Sequence, residues 1–562
     1  MPLVVYKSSA GSGKTTTLVR AYLKITLNNP RLFRNVLAIT FTNKAANEMK
    51  SRVLEWLSIL SEGELLLEDE LKDLQNELGF PDAVMQERAK ELLSLIIHNY
   101  DEFAISTIDS FVHRIIKTFA TDIKLPQNFE VVIEEDEIIP EIIQDLYEKV
   151  GVDKDITSIL INFVMANFED EKAHDPTNQL YSFIQKQIQE EGFFFIGKLR
   201  DVSLSDFQNI IQRLRYKYQA LKKEISGLAC ETIDLIQKSG IEPGSFYQGK
   251  RGIYNYFAKN CALKNDSDII PNSYAVKTVE ENNWYGGKCP ADQKASIDAI
   301  KDKLTESFNA SIQLSKRYMM HSLVYRKVYD VALIREIRLL FDDYADRNQK
   351  VHISEFNKKI SESIAGQPVP FIYERLGRRY RYFLIDEFQD TSVLQWQNLM
   401  PLLEESLAYG HFNMLVGDAK QAIYRFRNGE VELFSSLPKL YPKAETAREI
   451  AAEKFLESHY HEVILGINYR SAKVIVDFNN SFFHTIYEGL QGRNKKVYEN
   501  LHQLVNEEKK KENAGYVKIE LIEAEKTENY RELRLENIKN NIVELKSKGY
   551  QDKDICVLTN QN

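Results

Sequence analysis

The chain has 562 residues, 43% of them hydrophobic and 28% charged, with a formal net charge of -9 at pH 7. That balance excludes a disordered or fibrous chain, and the length asks for about three or four domains. It also excludes a surface that is basic all over, although nucleic acid needs only a basic stripe in the right place. At the N-terminus the apolar run "LVVYK" reads as a strand and leads into Ser8, Ser9, Ala10, Gly11, Ser12, Gly13, Lys14, Thr15 and Thr16. Strand, glycine-rich turn, Lys-Thr and a helical "TTTLVRAYLKITL" follow in the register of a phosphate-binding loop. Gly11 and Gly13 let backbone N–H groups turn inward, Lys14 can reach the β- and γ-phosphates, and the Thr15 hydroxyl can ligate Mg²⁺. The general pattern has glycine where Ser8 stands. A plain Gly/Ser turn is the bland alternative, and the full register weighs against it.

Further along, "VLAIT", a set of helices, "FAIST" and another helix continue an alternation of strand and helix over residues 1–125, the pattern of a parallel α/β sheet. Residues 126–365 read as a mostly helical insertion, typified by "SDFQNIIQRLRYKYQALKKEISGL". Its charge runs fit solvated helix faces or a guide for DNA, and the sequence leaves both open. The first lobe resumes over 366–445 with "YFLID" and "NMLVG". Phe383, Leu384 and Ile385 read as a buried strand, with Asp386 at its carboxyl end as a metal-binding carboxylate and Glu387 beside it as a candidate base. From 446 a second α/β lobe is expected, with "EVILGINYRS", "GYVKIELIEA" and "DICVLT" as strands and a helix from about 530. "HYH" at 459–461 has no third ligand nearby and reads as a surface turn.

Cys230, Cys261, Cys289 and Cys556 lie far apart, with no CxxC pair and no histidine at ligand spacing. The spacing indicates neither zinc nor a disulfide framework and fits a reducing compartment. No apolar run approaches a membrane span, and "MPLVVYK" is too short for the apolar region of a signal peptide, so a cytoplasmic protein with no membrane partner is expected.

Six segments in order, "SSAGSGKT", "LAITFTNKAANEMKSR", "ISTIDSFVHRII", "FLIDEFQDTSVLQW", "LVGDAKQAIYRFRNGEVELF" and "INYRSAKVIVDFNNSFF", resemble the successive motifs of the UvrD/Rep superfamily-one DNA helicases. Their wording is closer to the RecB and AddA helicase-nuclease branch, and the resemblance fades between about 125 and 365. It implies RecA-like motor lobes and a 3′-to-5′ ATP-dependent DNA motor of recombination, repair or DNA degradation, using ATP and Mg²⁺. It implies that Gln421 senses the γ-phosphate, that Arg470 reaches it from the second lobe, and that Tyr469 lies against adenine, although a core tyrosine is an equal reading there. Phe41, Thr42, Asn43, Thr107, Ser110, Tyr424, Phe426 and Arg427 match family positions that hold single-stranded DNA, where aromatic faces take bases and donors take phosphates.

Implied partners are single-stranded DNA, duplex DNA ends and a second subunit of a helicase-nuclease complex. Asp109 departs from the family's usual histidine and would repel a phosphate. The glutamine-bearing adenine segment that precedes the loop in UvrD-type enzymes has no room here. The family's later motifs, one coupling DNA to ATP and one supplying an arginine finger, are not in this chain, so it resembles the front part of a longer helicase. The alternative is a module that binds ATP and DNA, or a partner, without efficient turnover.

Overall fold

The computed structural model describes residues 2–559 except 64–68, 121–124, 126–128, 133–134, 169–175, 189–201, 353, 366–370, 499–501, 508–514 and 523–526. Among the described residues the strands are, in chain order, β1 Leu3–Ser8, β2 Val36–Thr40, β3 Ile105–Thr107, β4 Glu130–Val132, β5 Lys350–His352, β6 Tyr382–Ile385, β7 Asn413–Gly417, β8 Tyr460–Leu465, β9 Ile467–Asn468 and β10 Leu504–Val505. Six of them make one parallel sheet in the order β3-β2-β6-β7-β1-β8.

Successive side chains of a strand point to opposite faces, and a parallel sheet has helices on both, so the inner strands β2, β6 and β7 read as mainly apolar runs, while the edge strand β8 keeps His461 and Glu462 exposed. In β2, Val36 and Ala38 enter the core under helices Lys14–Asn28, Asn43–Glu62 and Asp82–His98, while Leu37 and Ile39 enter the opposite core under Ile108–Phe119 and Val393–Ala408. Hydroxyl caps start three of these helices. Thr42 accepts from Ala45 N–H, Thr107 from Ser110 N–H, and Ser392 forms a reciprocal box with Gln395. Thr107 ends β3, Thr42 stands two residues past β2 and Ser392 seven past β6, so these helices begin at the carboxyl-end side of the sheet.

Between β3 and β6 the chain is chiefly helical, apart from the parallel β4–β5 pair. Its longest helix, Ala291–Asn348, has 58 residues and packs against the 35-residue helix Leu204–Lys238. Ile297, Ile300, Leu304, Phe308, Ser311 and Ser315 recur every three or four positions along the buried stripe, the spacing two long helices need to seat against each other. The "SDFQNIIQRL" stretch lies in the shorter of the two.

Three expectations are corrected. β8, which the sequence assigns to a second lobe starting at 446, runs parallel to β1 with Leu3 opposite Tyr460 and Ser8 opposite Leu465. Pairing there satisfies the side of β1 that β7 leaves open, so the first sheet extends past 445. Residues 515–522 of "GYVKIELIEA" and 554–559 of "DICVLT" have no strand partner among the described residues, and Leu521 and Leu558 are exposed. Cys230 and Cys261 form a disulfide, their Cα atoms 4.8 Å apart across helices Leu204–Lys238 and Ile253–Ala262. The packing of neighbouring helices closes a separation of 31 residues that the spacing rule could not see.

Candidate nucleotide and nucleic-acid site

The loop after β1 depends on two left-handed residues, Gly11 with φ 76° and Gly13 with φ 81°. A Cβ on Gly11 would also meet Asn468 Oδ1 and the Arg470 Cβ at 2.9 Å. Ser12 N–H donates to Ser9 O at 3.2 Å, and Ser9 N–H to the Ser12 hydroxyl at 3.3 Å, which closes the loop ahead of the helix that starts at Lys14. The Ser8 hydroxyl donates to Gly417 O at 2.7 Å, so the residue that departs from the glycine pattern ties the loop to β7. Arg52 Nη1 donates to the Thr16 hydroxyl at 3.3 Å. Thr15 follows Lys14 in the first turn of the same helix.

Lys14 Nζ lies 3.0 and 2.9 Å from the two carboxylate oxygens of Glu387 and 3.3 Å from Gln421 Oε1. Gln389 Nε2 donates to Glu387 Oε2 at 2.7 Å, and Gln389 Oε1 accepts from Asp418 N–H at 2.9 Å. Gln421 Nε2 then donates to Asp418 Oδ2 at 2.8 Å, which closes a ring through Lys14, Glu387, Gln389, Asp418 and Gln421. Glu387 holds φ 49° and ψ 41°, a conformation disfavoured for a residue with a side chain and found where function dictates the direction of that side chain. Burial, and then the adjacent Glu387 carboxylate, push Asp386 up to about 7. Burial, and then Glu387, likewise push Asp390 up to about 6 against the lowering pull of the Ile423 and Tyr424 backbone and of Gln389 Nε2, which donates to Asp390 Oδ2 at 3.2 Å. Two like charges at the end of β6 and few counter-charges make this a place that a cation would stabilise.

The "INYRS" segment reaches the same loop. Tyr469 N–H donates to Gly11 O at 2.9 Å and Asn468 Nδ2 to Ala10 O at 3.0 Å, while Asn468 Oδ1 accepts from the N–H groups of Arg470 and Ser471. Gln503 Nε2 also donates to Ala10 O, at 3.3 Å. The Tyr469 ring is 52% exposed beside the loop, so it is not a core tyrosine.

On the outer side of this end of the sheet the rings of Phe41 and Tyr424 lie 4.3 Å apart, and the Arg427 guanidinium is 6.0 Å from the Tyr424 ring. Asn43 opens the helix that Thr42 caps. The Thr107 and Ser110 hydroxyls are 2.7 Å apart at the start of helix Ile108–Phe119. Asp109 accepts from Gln395 Nε2 at 3.2 Å, and the Arg427 charge acts on it against the upward push of burial. The carboxylate that stands in place of histidine is thus held by the protein. The backbone of Phe426 lies in the turn Arg425–Arg427, and its side chain falls outside the described residues.

The structure therefore brings Lys14, Glu387 and Gln421 into direct contact, sets Asp386 beside Glu387, and puts Tyr469 and Arg470 against the loop. Gln389, Asp390, Asp418, Asn468 and Gln503 escape a reading of the sequence. The first four stand inside the motif segments, and position in a motif is their available signal. Gln503 gives none, since it joins the loop through the β9–β10 pair.

A parallel sheet with a lysine-bearing phosphate loop after its first strand and an acidic pair at the end of β6, one strand removed across β7, defines a P-loop nucleotide-binding fold. Residues 2–442 match the UvrD/REP helicase N-terminal domain, and the chain belongs to that family. It is similar to the A subunit of the ATP-dependent helicase/nuclease of Clostridium novyi (strain NT), 26% identical over 86% of this chain and 38% of the relative. The protein of the same description from Clostridioides difficile (strain 630) is 24% identical over 90% of this chain and 38% of its own length. The "Exonuclease/helicase subunit RexA" of Streptococcus pneumoniae serotype 4 is 23% identical over 89% and 39%. The chain spans about two fifths of the length of these relatives. No helix among the described residues is long and apolar enough to cross a membrane.

Proposed function

We propose that the chain binds ATP and DNA as the ATP-hydrolysing motor portion of a DNA helicase or translocase, of the kind its helicase-nuclease relatives are described as. The observation that carries this reading is the joining of Lys14, Glu387 and Gln421 in one hydrogen-bonded ring on the sheet edge that also presents the Phe41–Tyr424 pair. ATP would enter with its phosphates on the N–H groups of residues 9–15. Lys14 would leave Glu387 for the β- and γ-phosphates, and Gln421 and Arg470 would face the γ-phosphoryl group. Glu387, released, would take the proton of the attacking water.

The donor set fits Mg²⁺, a hard cation that takes one or two protein oxygens and completes its shell with phosphates and water. The Thr15 hydroxyl and the Asp386 carboxylate would hold it, and its charge would favour the ionised form of a carboxyl that burial keeps near neutrality. Bound there, it neutralises charge on the transferring phosphoryl group.

Single-stranded DNA would stack on Phe41 and Tyr424, with Thr42, Asn43, Thr107, Ser110 and Arg427 near the backbone, and sequence would matter little. The direction 3′ to 5′, duplex ends as entry points, partnership with a second polypeptide of a helicase-nuclease complex and a role in recombination, repair or DNA degradation belong to the same reading and come from the family resemblance, while a cytoplasmic location comes from the sequence, which has no apolar run near the length of a membrane span. Phosphate release in Mg-ATP, with and without single-stranded DNA, tests the reading. DNA-stimulated release supports it, and binding of both ligands with no release would make the chain a module without turnover.

A further inference from the structure

The peptide between Ala10 and Gly11 is gripped by residues that follow β8. Ala10 O accepts from Asn468 Nδ2 at 3.0 Å and from Gln503 Nε2 at 3.3 Å, and Gly11 O accepts from Tyr469 N–H at 2.9 Å. Asn468 is 4% exposed, and every hydrogen-bonding position of its amide is filled. Its Nδ2 donates to Gln503 Oε1 at 3.1 Å as well, while Oδ1 accepts from Arg470 N–H at 2.9 Å and Ser471 N–H at 2.8 Å. Gln503 is fixed in turn. Its N–H donates to Asn480 Oδ1 and its carbonyl accepts from Asn480 Nδ2, both at 3.0 Å, so helix Lys473–Gly489 clamps its backbone while the β9–β10 pair sets its register. The loop is shaped for this approach, since a Cβ on Gly11 would meet Asn468 Oδ1 at 2.9 Å.

We propose that Gln503, clamped by Asn480, is a positioning residue for the phosphate loop, and that through Asn468 it holds the loop and Arg470 as one unit. The proposal rests on the ATP reading above and carries it to a residue outside the six motif segments. A trans peptide is planar, with its C=O and N–H on opposite sides, so two amides on Ala10 O turn the Gly11 N–H away from themselves. Without Gln503, Ala10 O keeps one of its two side-chain donors and Asn468 Nδ2 loses the acceptor that braces it. The Ala10–Gly11 peptide then gains freedom that a bound phosphate must remove again, and this weakens ADP as much as ATP. Asn468 stands at the join, with Nδ2 on the loop and Oδ1 on the backbone at Arg470. Its loss also frees Arg470, which a γ-phosphate alone would register.

The test compares two nucleotides. Calorimetric titration with Mg-ADP and with a non-hydrolysable Mg-ATP analogue gives both Kd values for the parent chain, Gln503→Met, Gln503→Glu and Asn468→Ala. Gln503→Met keeps the length of the side chain and removes its donor, and it should weaken both nucleotides by about threefold to tenfold, the scale of one neutral hydrogen bond, with their ratio held. In phosphate release its KM for ATP should rise by the same factor at constant kcat, the mark of binding lost equally in ground and transition states. Gln503→Glu matches the parent in shape but aims a carboxylate at Ala10 O, so it should bind no better than Gln503→Met, whereas a side chain that only packs would tolerate the change. Asn468→Ala should weaken both nucleotides by about tenfold or more and also reduce the preference for the ATP analogue over ADP. Should that variant fold poorly, the two Gln503 variants, altered at a half-buried side chain, carry the test by themselves. Parental affinity for both nucleotides in Gln503→Met and Gln503→Glu would overturn the proposal, as would a loss in Gln503→Met confined to the ATP analogue. A parent that binds neither nucleotide would bring down the ATP reading first, and this proposal with it.

Discussion

Replacing Glu387 by glutamine should separate binding from hydrolysis in a direction the structure sets. Lys14 is held at 2.9 and 3.0 Å by Glu387, with the lysine side chain 12% and the glutamate side chain 29% exposed. Coulomb's law at an effective dielectric of about 20 gives about 5 kcal/mol for unit charges near 3 Å, most of which desolvation offsets. A net of about 1–2 kcal/mol remains as the cost of freeing Lys14 for phosphate. In the Glu387→Gln variant the new amide would face the Gln389 Nε2 donor and hold Lys14 by one neutral oxygen. Affinity for Mg-ATP should therefore rise about fivefold to thirtyfold, the equivalent of that 1–2 kcal/mol. Hydrolysis should fall by about 10²–10⁴, the usual contribution of a general base. Calorimetric titration with Mg-ATP beside single-turnover phosphate release makes both measurements. Unchanged or weaker binding would mean that the Lys14–Glu387 pair does not compete with phosphate, and parental hydrolysis would remove Glu387 from the role of base.

Lys14→Ala should weaken Mg-ATP binding by about 10²-fold or more, since it removes the cation that meets the phosphates and leaves Glu387 without its partner; nucleotide titration reads the loss. Tyr424→Ala or Phe41→Ala should cost about 1–3 kcal/mol of single-stranded DNA affinity, measured by anisotropy over a salt series, and equal affinity in a folded variant would confine that ring to packing. Asp109→Asn should strengthen DNA binding by about 0.5–1 kcal/mol by removing a charge near the phosphate path, with no change in ATP binding as the control. Asp386 is raised in the fold to about 7, so the folded state holds a proton that the unfolded state has released between about pH 4 and 7. Its contribution to stability is therefore present below that window and lost as pH rises through it. Thermal melts of the nucleotide-free chain should show Asp386→Asn with a flatter decline over the window, and an identical pH profile would contradict the raised value.

The parts of the fold legible in the sequence are those coded by contiguous residues. The loop at 8–16, the apolar strand before Asp386 and the hydroxyl-led helix starts each need only neighbours along the chain to be recognised. β8 is misplaced by such a reading because "EVIL" has the pattern of any buried strand, and which sheet it joins depends on the open side of β1 some 450 residues earlier. The same limit hides the disulfide, whose two cysteines meet only when two helices pack, and Gln503, which arrives at Ala10 through a two-residue strand pair. Gln389 is a different case. It stands in view inside "DEFQD", yet an uncharged side chain flanked by three acids draws attention only once its amide is seen to bond with two of them.

Helix Ala291–Asn348 is anchored near one end, where Ala345 is buried in the core of the main sheet, while Ile297 and Ile300 lie in a separate core close to the other. At 1.5 Å per residue its 58 residues span about 87 Å, longer than a typical small domain is wide. It is geometrically a lever arm: a tilt of about 5° at the anchored end sweeps the distant end through about 7 Å, roughly the rise of two base pairs along a duplex. A small rotation of the sheet, carried along a helix this long, would become a displacement on the scale of the nucleic-acid repeat.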